Sequence, residues 1–290
     1  MNHLRIERRQ LVCVPVAITA LFGVLLLSGC LHAYKNRKDV VRKPARHSLQ
    51  LDQLLLVSDF KIPRDHALVD ELQELRQEIV STLKLPPQRD QVNVYLFSDQ
   101  ASYQAYLDTT WPDLPERRAY FVGTSRELAV YTFWGNRTLE DLRHEYTHGI
   151  LHASLNAVPL WLDEGLAEYF EVPGQQVGGI NNEHASELAT AMVNGWVPDI
   201  KRLENITDFA DLQRLDYQES WAWAHYMLHM SPETRDVLCD YLHELRTRDN
   251  AGRISDKLAE LSPQFENRFH VYAGDLSSPT AVIRAQEFGF

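Results

Sequence analysis

His144-Glu145-Tyr146-Thr147-His148 sets two imidazoles four residues apart with a carboxylate directly after the first, the pattern H-E-x-x-H. On a helix, at ~100° per residue, positions i and i+4 lie about 40° apart around the axis, so both rings project from one face and can share a metal ion. Glu145 falls ~60° from His148 around the same axis, where its carboxylate can reach a water on that ion without becoming a ligand. Tyr146 and Thr147 point elsewhere. The chemistry this spacing offers is metal-assisted hydrolysis, with Glu145 as the base. Two histidines are too few for a catalytic zinc, which takes three protein ligands and keeps one position open.

Sixteen residues beyond His148 stands Glu164, within Pro159-Leu160-Trp161-Leu162-Asp163-Glu164-Gly165-Leu166-Ala167-Glu168-Tyr169-Phe170. H-E-x-x-H followed by W-L-x-E-G-x-A-E-Y-F resembles the gluzincin zinc metallopeptidases with a peptidase MA-like domain. The likeness covers mainly 92–230 and is strongest over 140–170. It implies one zinc ion held by His144, His148 and Glu164. It also implies that Glu168, one turn past Glu164, accepts a hydrogen bond from His144 and so fixes that ring's tautomer. The spacing from His148 to Glu164 is a little shorter than in aminopeptidase N-type members. A solvated helix face is the plainer alternative for the two glutamates. Against it, Trp161, Leu162, Leu166, Tyr169 and Phe170 are large and apolar, so the helix is expected to be buried, and a buried carboxylate needs a partner.

The resemblance implies two further parts. An edge strand ahead of the zinc helix pairs with extended substrate in gluzincins, and Ala129-Val130-Tyr131-Thr132-Phe133 occupies that place; an ordinary core strand is the alternative. A Tyr or His from a later helix steadies the oxyanion, with Tyr217, His225 and Tyr226 as candidates and Tyr217 favoured. His225 and His229 also stand four apart, but with no Glu between them and no evident third ligand they are not read as a second metal site. His152, His184, His243 and His270 are read as ordinary histidines. There is no G-x-M-E-N string, the amine-recognising feature of aminopeptidase N-type enzymes, which favours an endopeptidase. P-loop, Rossmann-glycine and G-x-S-x-G patterns are absent.

The elements that must position these residues are legible from periodicity. Asp65 followed by Leu68, Leu72, Leu75, Ile79 and Leu83 predicts a capped amphipathic helix that Pro86-Pro87 ends. Val92, Val94 and Leu96 alternate with Asn93, Tyr95 and Phe97 as in a strand. Asp99 caps a short helix through Leu107, and 110–118 is a loop. Tyr120–Val122 and Leu128–Phe133 form a hairpin. Thr138, with Glu140 and Asp141 in the first turn, opens the motif helix to about Ala153, and Pro159 opens the next, through Phe170. Gly174, Gly178 and Gly179 mark a loop. Beyond 183 the pattern is mainly helical, with starts at Ser231-Pro232-Glu233 and Ser262-Pro263. The expected class is α+β: a small mixed sheet, with an edge strand packed on the motif helix, then a mainly helical half.

The chain has 290 residues, with 29 Lys+Arg against 40 Asp+Glu and a net charge of −11. That acidity makes nucleic acid a poor partner. Arg5, Arg8 and Arg9 precede an apolar run from Leu11 to Leu27 that closes on Leu27-Ser28-Gly29-Cys30, a secretory signal. A single transmembrane anchor is the alternative, weakened by its short length and by Pro15. The closing string resembles the lipobox of bacterial lipoproteins, which implies that Cys30 becomes the first mature residue and carries lipid. Leu31 rather than Asp after it leans towards the outer membrane. Residues 1–29 are then the signal peptide, 30–48 a lipidated basic tether, 49–275 the peptidase domain and 276–290 a tail. Over 31–48 six basic residues oppose Asp39, while 49–290 carries 20 Lys+Arg and 38 Asp+Glu. A basic segment beside an anchor is drawn to anionic headgroups, and a body this acidic stands off them. Cys13 leaves with the signal and Cys239 is expected to be simply buried.

The expected function is therefore that of a zinc metallopeptidase, lipid-anchored in the bacterial envelope and facing the periplasm, acting on peptide or protein substrates. Two rivals remain open at this stage: a zinc-stapled scaffold without turnover, and a zinc hydrolase of a non-peptide amide.

Overall fold

Apolar residues alternate between two covered faces in the strands, and this sets the architecture of the first half. The structure, a computed structural model, describes residues 41–172, 180–248 and 251–276. Strands β1 (His47–Leu51), β2 (Leu54–Ser58), β3 (Val92–Phe97), β4 (Ala119–Gly123) and β5 (Leu128–Phe133) form one mixed sheet in the order β1-β2-β3-β5-β4. β1–β2 and β4–β5 are antiparallel hairpins, and β2–β3 and β3–β5 are parallel. Leu54, Leu56, Val92, Val94, Leu96 and Val130 point into the main core. Val57, Tyr95, Phe97, Ala129, Tyr131 and Phe133 point to the other face and form a second, aromatic core. Helix α1 (Ala67–Thr82) covers the first face through Leu68, Val69, Leu72, Leu75 and Ile79. Helix α2 (Gln100–Thr110) covers the second through Tyr103, Tyr106 and Leu107.

Helix α3 (Thr138–Ser154) carries the H-E-x-x-H residues, and α4 (Leu160–Phe170) follows after a short connection. The helical half continues with α5 (Asn182–Val193), the one-turn α6 (Ile200–Leu203), a 3-10 turn at Phe209–Asp211, α7 (Arg214–His229), α8 (Pro232–Glu244), α9 (Ile254–Leu261) and α10 (Phe265–Asp275). One hydrophobic core runs without a break from Leu51 to Leu276. Trp161, Trp221 and Trp223 are buried within it. Among the described residues, no helix is long and apolar enough to cross a membrane. Cys239 is buried, its Sγ 3.9 Å from the Thr82 carbonyl oxygen.

Several expectations shift. β5 is interior, between β3 and β4, and the edge strand is β4. The α1 cap is His66, whose Nδ1 accepts from the Leu68 N–H, rather than Asp65. Ser262-Pro263 precedes α10, which starts at Phe265. β1 and β2 have no counterpart among the expected elements. Their link is the two-residue turn Asp52-Gln53, with Asp52 at φ 49°, which lacks the Asn-Gly or Asp-Gly pair that advertises a hairpin. The segment read as tether ends inside the fold: β1 begins at His47, and Lys43 Nζ donates to Tyr95 Oη at 2.7 Å and Glu127 Oε1 at 3.0 Å. The signal segment, Cys13, Cys30 and the Gly174–Gly179 loop lie outside the described residues.

Candidate metal centre

Glu140 and Asp141 sit in the first turn of α3, where acidic side chains offset the helix dipole. Leu142, Tyr146, Ile150 and Leu151 bury the opposite side in the main core. Gly149 permits a close approach to the sheet, since a Cβ there would fall 2.7 Å from Val92 Cγ1. The remaining face carries His144, His148 and His152 at successive i+4 positions. Helix α4 brings Asp163 and Glu164 against that stripe, 5% and 3% exposed. Gly165 lets α4 lie on α7, because a Cβ there would stand 2.4 Å from the Ser220 carbonyl oxygen. Arg143, buried beside the motif, braces the end of α4. Its Nε donates to the Phe170 carbonyl at 2.8 Å while its other nitrogens pair with Glu71 and Glu78 on α1.

Donor atoms of His144, His148 and Glu164 all lie within 4.8 Å of one another. The two Nε2 atoms are 3.3 Å apart, and Glu164 oxygens lie 3.6 Å from His144 Nε2 and 3.8 Å from His148 Nε2. Bonds of about 2.0–2.1 Å in a tetrahedron place donors roughly 3.4 Å apart, so the residues fit a zinc ion. The outer nitrogens support the same conclusion. His144 Nδ1 faces Glu171 Oε2 at 3.1 Å and His148 Nδ1 faces Asp163 Oδ1 at 3.0 Å. A carboxylate only accepts, so each Nδ1 carries a proton, which leaves the Nε2 atoms as the ones that would face a metal ion.

The electrostatics of these side chains show what a cation would relieve. Burial alone would lower the histidine pKa values. The neighbouring Asp163 and Glu164 carboxylates instead push His148 up to about 9, and Glu164 and Glu171 hold His144 well above its ordinary value. Burial would raise Asp163, but His148 and His152 hold it far below the carboxylate range. Burial raises Glu145, against the opposing pull of His144 and His148.

Glu145 Oε2 accepts from the Phe121 N–H at 2.6 Å. The outward backbone of edge strand β4 therefore meets the motif helix at its carboxylate. Tyr217 stands in the first turns of α7, beside Arg117 and within the field of Glu164. Burial raises its pKa, with Glu164 adding and Arg117 opposing. The other two oxyanion candidates are spent in packing: His225 Nδ1 is 2.6 Å from Tyr272 Oη, and Tyr226 packs on Trp223 and Phe269. His229 Nε2 is 2.8 Å from Tyr169 Oη.

One assignment moves. Glu168 does not hold His144; its Oε2 bonds His184 Nε2 at 2.7 Å, and Glu171 is the carboxylate at His144. Two histidines read as ordinary belong to the centre's surroundings: His184, and His152, whose Nε2 is 2.8 Å from Asp163 Oδ2. Asp163, Glu171, Arg117 and Arg143 were not singled out in the sequence. Glu171 was the readable one, since Glu164, Glu168 and Glu171 fall at i, i+4 and i+7 on one helix face.

Residues 140–250 match a family described as "Protein of unknown function (DUF1570)". That span holds His144, Glu145, His148, Glu164, Glu168 and Tyr217. Comparison with curated proteins gives no match. The chain is thus similar over its motif helix and the helices that follow to a family whose description assigns no activity.

Proposed function

We propose that the chain is a zinc-dependent endopeptidase that hydrolyses peptide bonds in the bacterial envelope. The observation that carries this reading is the convergence of the His144, His148 and Glu164 donors on one point, with the Glu145 carboxylate beside them. A bound zinc ion supplies carbonyl polarisation and a water of lowered pKa. Glu145 Oε2 is engaged by the Phe121 amide, which leaves Oε1 to take the water's proton and return it to the leaving amine. Strand β4, at the sheet edge beside Glu145, is the strand with which an extended peptide would pair so that its scissile bond runs past Glu145. Tyr217, with Arg117 alongside, is suited to steady negative charge on the carbonyl oxygen.

Comparing envelope protein fragments from cells carrying the wild type and the Glu145→Gln variant tests the reading. The variant keeps its zinc, because Glu145 is not a ligand, and turnover falls by at least ~10²–10⁴-fold. If Glu145→Gln fully restores the wild-type phenotype to a knockout strain, hydrolysis is not the function and a zinc-stapled scaffold takes its place.

The envelope location rests on the Leu27-Ser28-Gly29-Cys30 string after an apolar run. Cys30 carries the lipid in this proposal, and the body faces the periplasm from the outer membrane. Cys30→Ser abolishes metabolic labelling with a fatty acid and leaves the signal uncleaved. Label that persists in the variant places the anchor elsewhere.

A further inference from the structure

Behind each ligand imidazole stands a carboxylate, and behind the carboxylates stands a second histidine. On one side, Asp163 spans His148 Nδ1 at 3.0 Å and His152 Nε2 at 2.8 Å, one with each oxygen. On the other, Glu171 holds His144 Nδ1 at 3.1 Å, and His184 Nε2 grips Glu168 at 2.7 Å and lies 4.0 Å from Glu171 Oε1. The outer histidines come from different helices, His152 from α3 and His184 from α5. Each is itself seated against an aromatic ring: His152 on Phe121 with centroids 5.2 Å apart, His184 on Trp221 at 5.6 Å.

We propose that His152 and His184 are positioning residues of the metal centre, His152 through Asp163, the carboxylate facing His148, and His184 through Glu168, the neighbour of the carboxylate at His144. The proposal rests on the metal-site reading above. A carboxylate held at one oxygen can still swing about its own side-chain torsions, and the imidazole it orients swings with it. A donor on its second oxygen locks the plane. Asp163 is held in this way by His152 at Oδ2, while its Oδ1 makes an ion-pair contact with His148 Nδ1 at 3.0 Å. Glu171 has its neighbour Glu168 pinned by His184, which stops the pair from exchanging places at His144 Nδ1. The same grip keeps a flexible carboxylate from turning towards the metal and closing the position that substrate needs.

The full-length chain, purified in detergent, tests this with His152→Ala and His184→Ala. His152→Gln and His184→Gln serve as conservative partners whose amide N–H still donates to a carboxylate. Three properties are read: zinc loss into excess chelator, the visible spectrum after cobalt substitution, and the melting temperature of the zinc-free protein. The Ala variants lose zinc about tenfold faster, at the low end for partners beyond the ligands, and shift the cobalt bands. Their zinc-free melting stays at the wild-type value, and the Gln variants regain most of the retention. Ala variants that hold zinc at the wild-type rate with an unchanged cobalt spectrum overturn the assignment and leave the metal site standing. So does a parallel fall in zinc-free melting that Gln does not rescue, which marks ordinary packing. A wild-type chain that binds no zinc overturns the metal reading itself, and the positioning role with it.

Discussion

At the scale of single residues, the centre is decided by which oxygen faces which nitrogen. Glu164, Glu168 and Glu171 share a helix face, so their spacing permits either of the latter two to orient His144. The observed partner is Glu171, at 3.1 Å from Nδ1, while Glu168 belongs to His184. Glu171→Gln is therefore expected to weaken zinc binding by ~10–100-fold, and Glu168→Gln by less. Competition with a chromophoric chelator measures both, and the opposite ranking would return His144 to Glu168. Replacing His144, His148 or Glu164 with Ala removes stoichiometric zinc altogether. Full zinc in the Glu164→Ala chain would take that residue out of the ligand set.

At the scale of elements, two close approaches place the ligands. Helix α3 lies against β3 through Gly149, and α4 lies against α7 through Gly165. The second is the stricter, because the atom a side chain would strike is the Ser220 backbone carbonyl, which no rotamer change can move. Gly165→Ala must push α4 away from α7. The expected cost is at least ~1–3 kcal/mol of stability, typical of overpacking, together with weaker zinc binding, since Glu164 is the adjacent residue. Urea unfolding and chelator competition check the two effects. A variant as stable as the wild type would show that the helices separate without strain. The hairpin carries a different lesson. Local pairing of β4 with β5 was readable, but not which of the two continues the sheet, because Ala119–Gly123 and Leu128–Phe133 are similarly apolar. The parallel register of β5 on β3 settles it and leaves β4 as the terminal strand, beside Glu145.

At the scale of the whole molecule, the helical half buries groups whose charge state then depends on the fold. His229, the last residue of α7, meets Tyr169 of α4, accepting from the phenol at 2.8 Å. Burial, with Arg235 adding, lowers its pKa to about 4. Unfolded, it titrates near 6.5. Between those values the unfolded chain binds the extra proton, so this contribution is complete above about pH 6.5. It declines as pH falls and is gone below about pH 4, with a limit of ~3 kcal/mol. His229→Gln, whose amide oxygen can still accept from Tyr169, should show a shallower fall in melting temperature between pH 7 and pH 4.5. Parallel curves for variant and wild type would mean that His229 does not report on burial.

The sequence alone determined the motif helix, the helix after it, the two-faced β3 strand and the acidic, mixed α+β character of the chain. Each of these follows from short-range periodicity and from residue types whose chemistry is independent of context. His144, Glu145 and His148 were legible for the same reason, their side of the helix being set by ~100° per residue, and Glu164 through the resemblance of its string to the gluzincins. The tertiary structure decided the partners of those residues. Asp163, His152 and His184 carry nothing in their local pattern that separates them from a solvated face, and Glu171 only shares a helix face with Glu164 and Glu168. Their roles arise where α3, α4 and α5 meet, and that meeting is governed by Gly149, Gly165 and buried aromatic packing. The strand presented at the edge was likewise a matter of long-range register. Spacing along one helix is fixed by backbone geometry, whereas the contact between two elements depends on every side chain that packs between them.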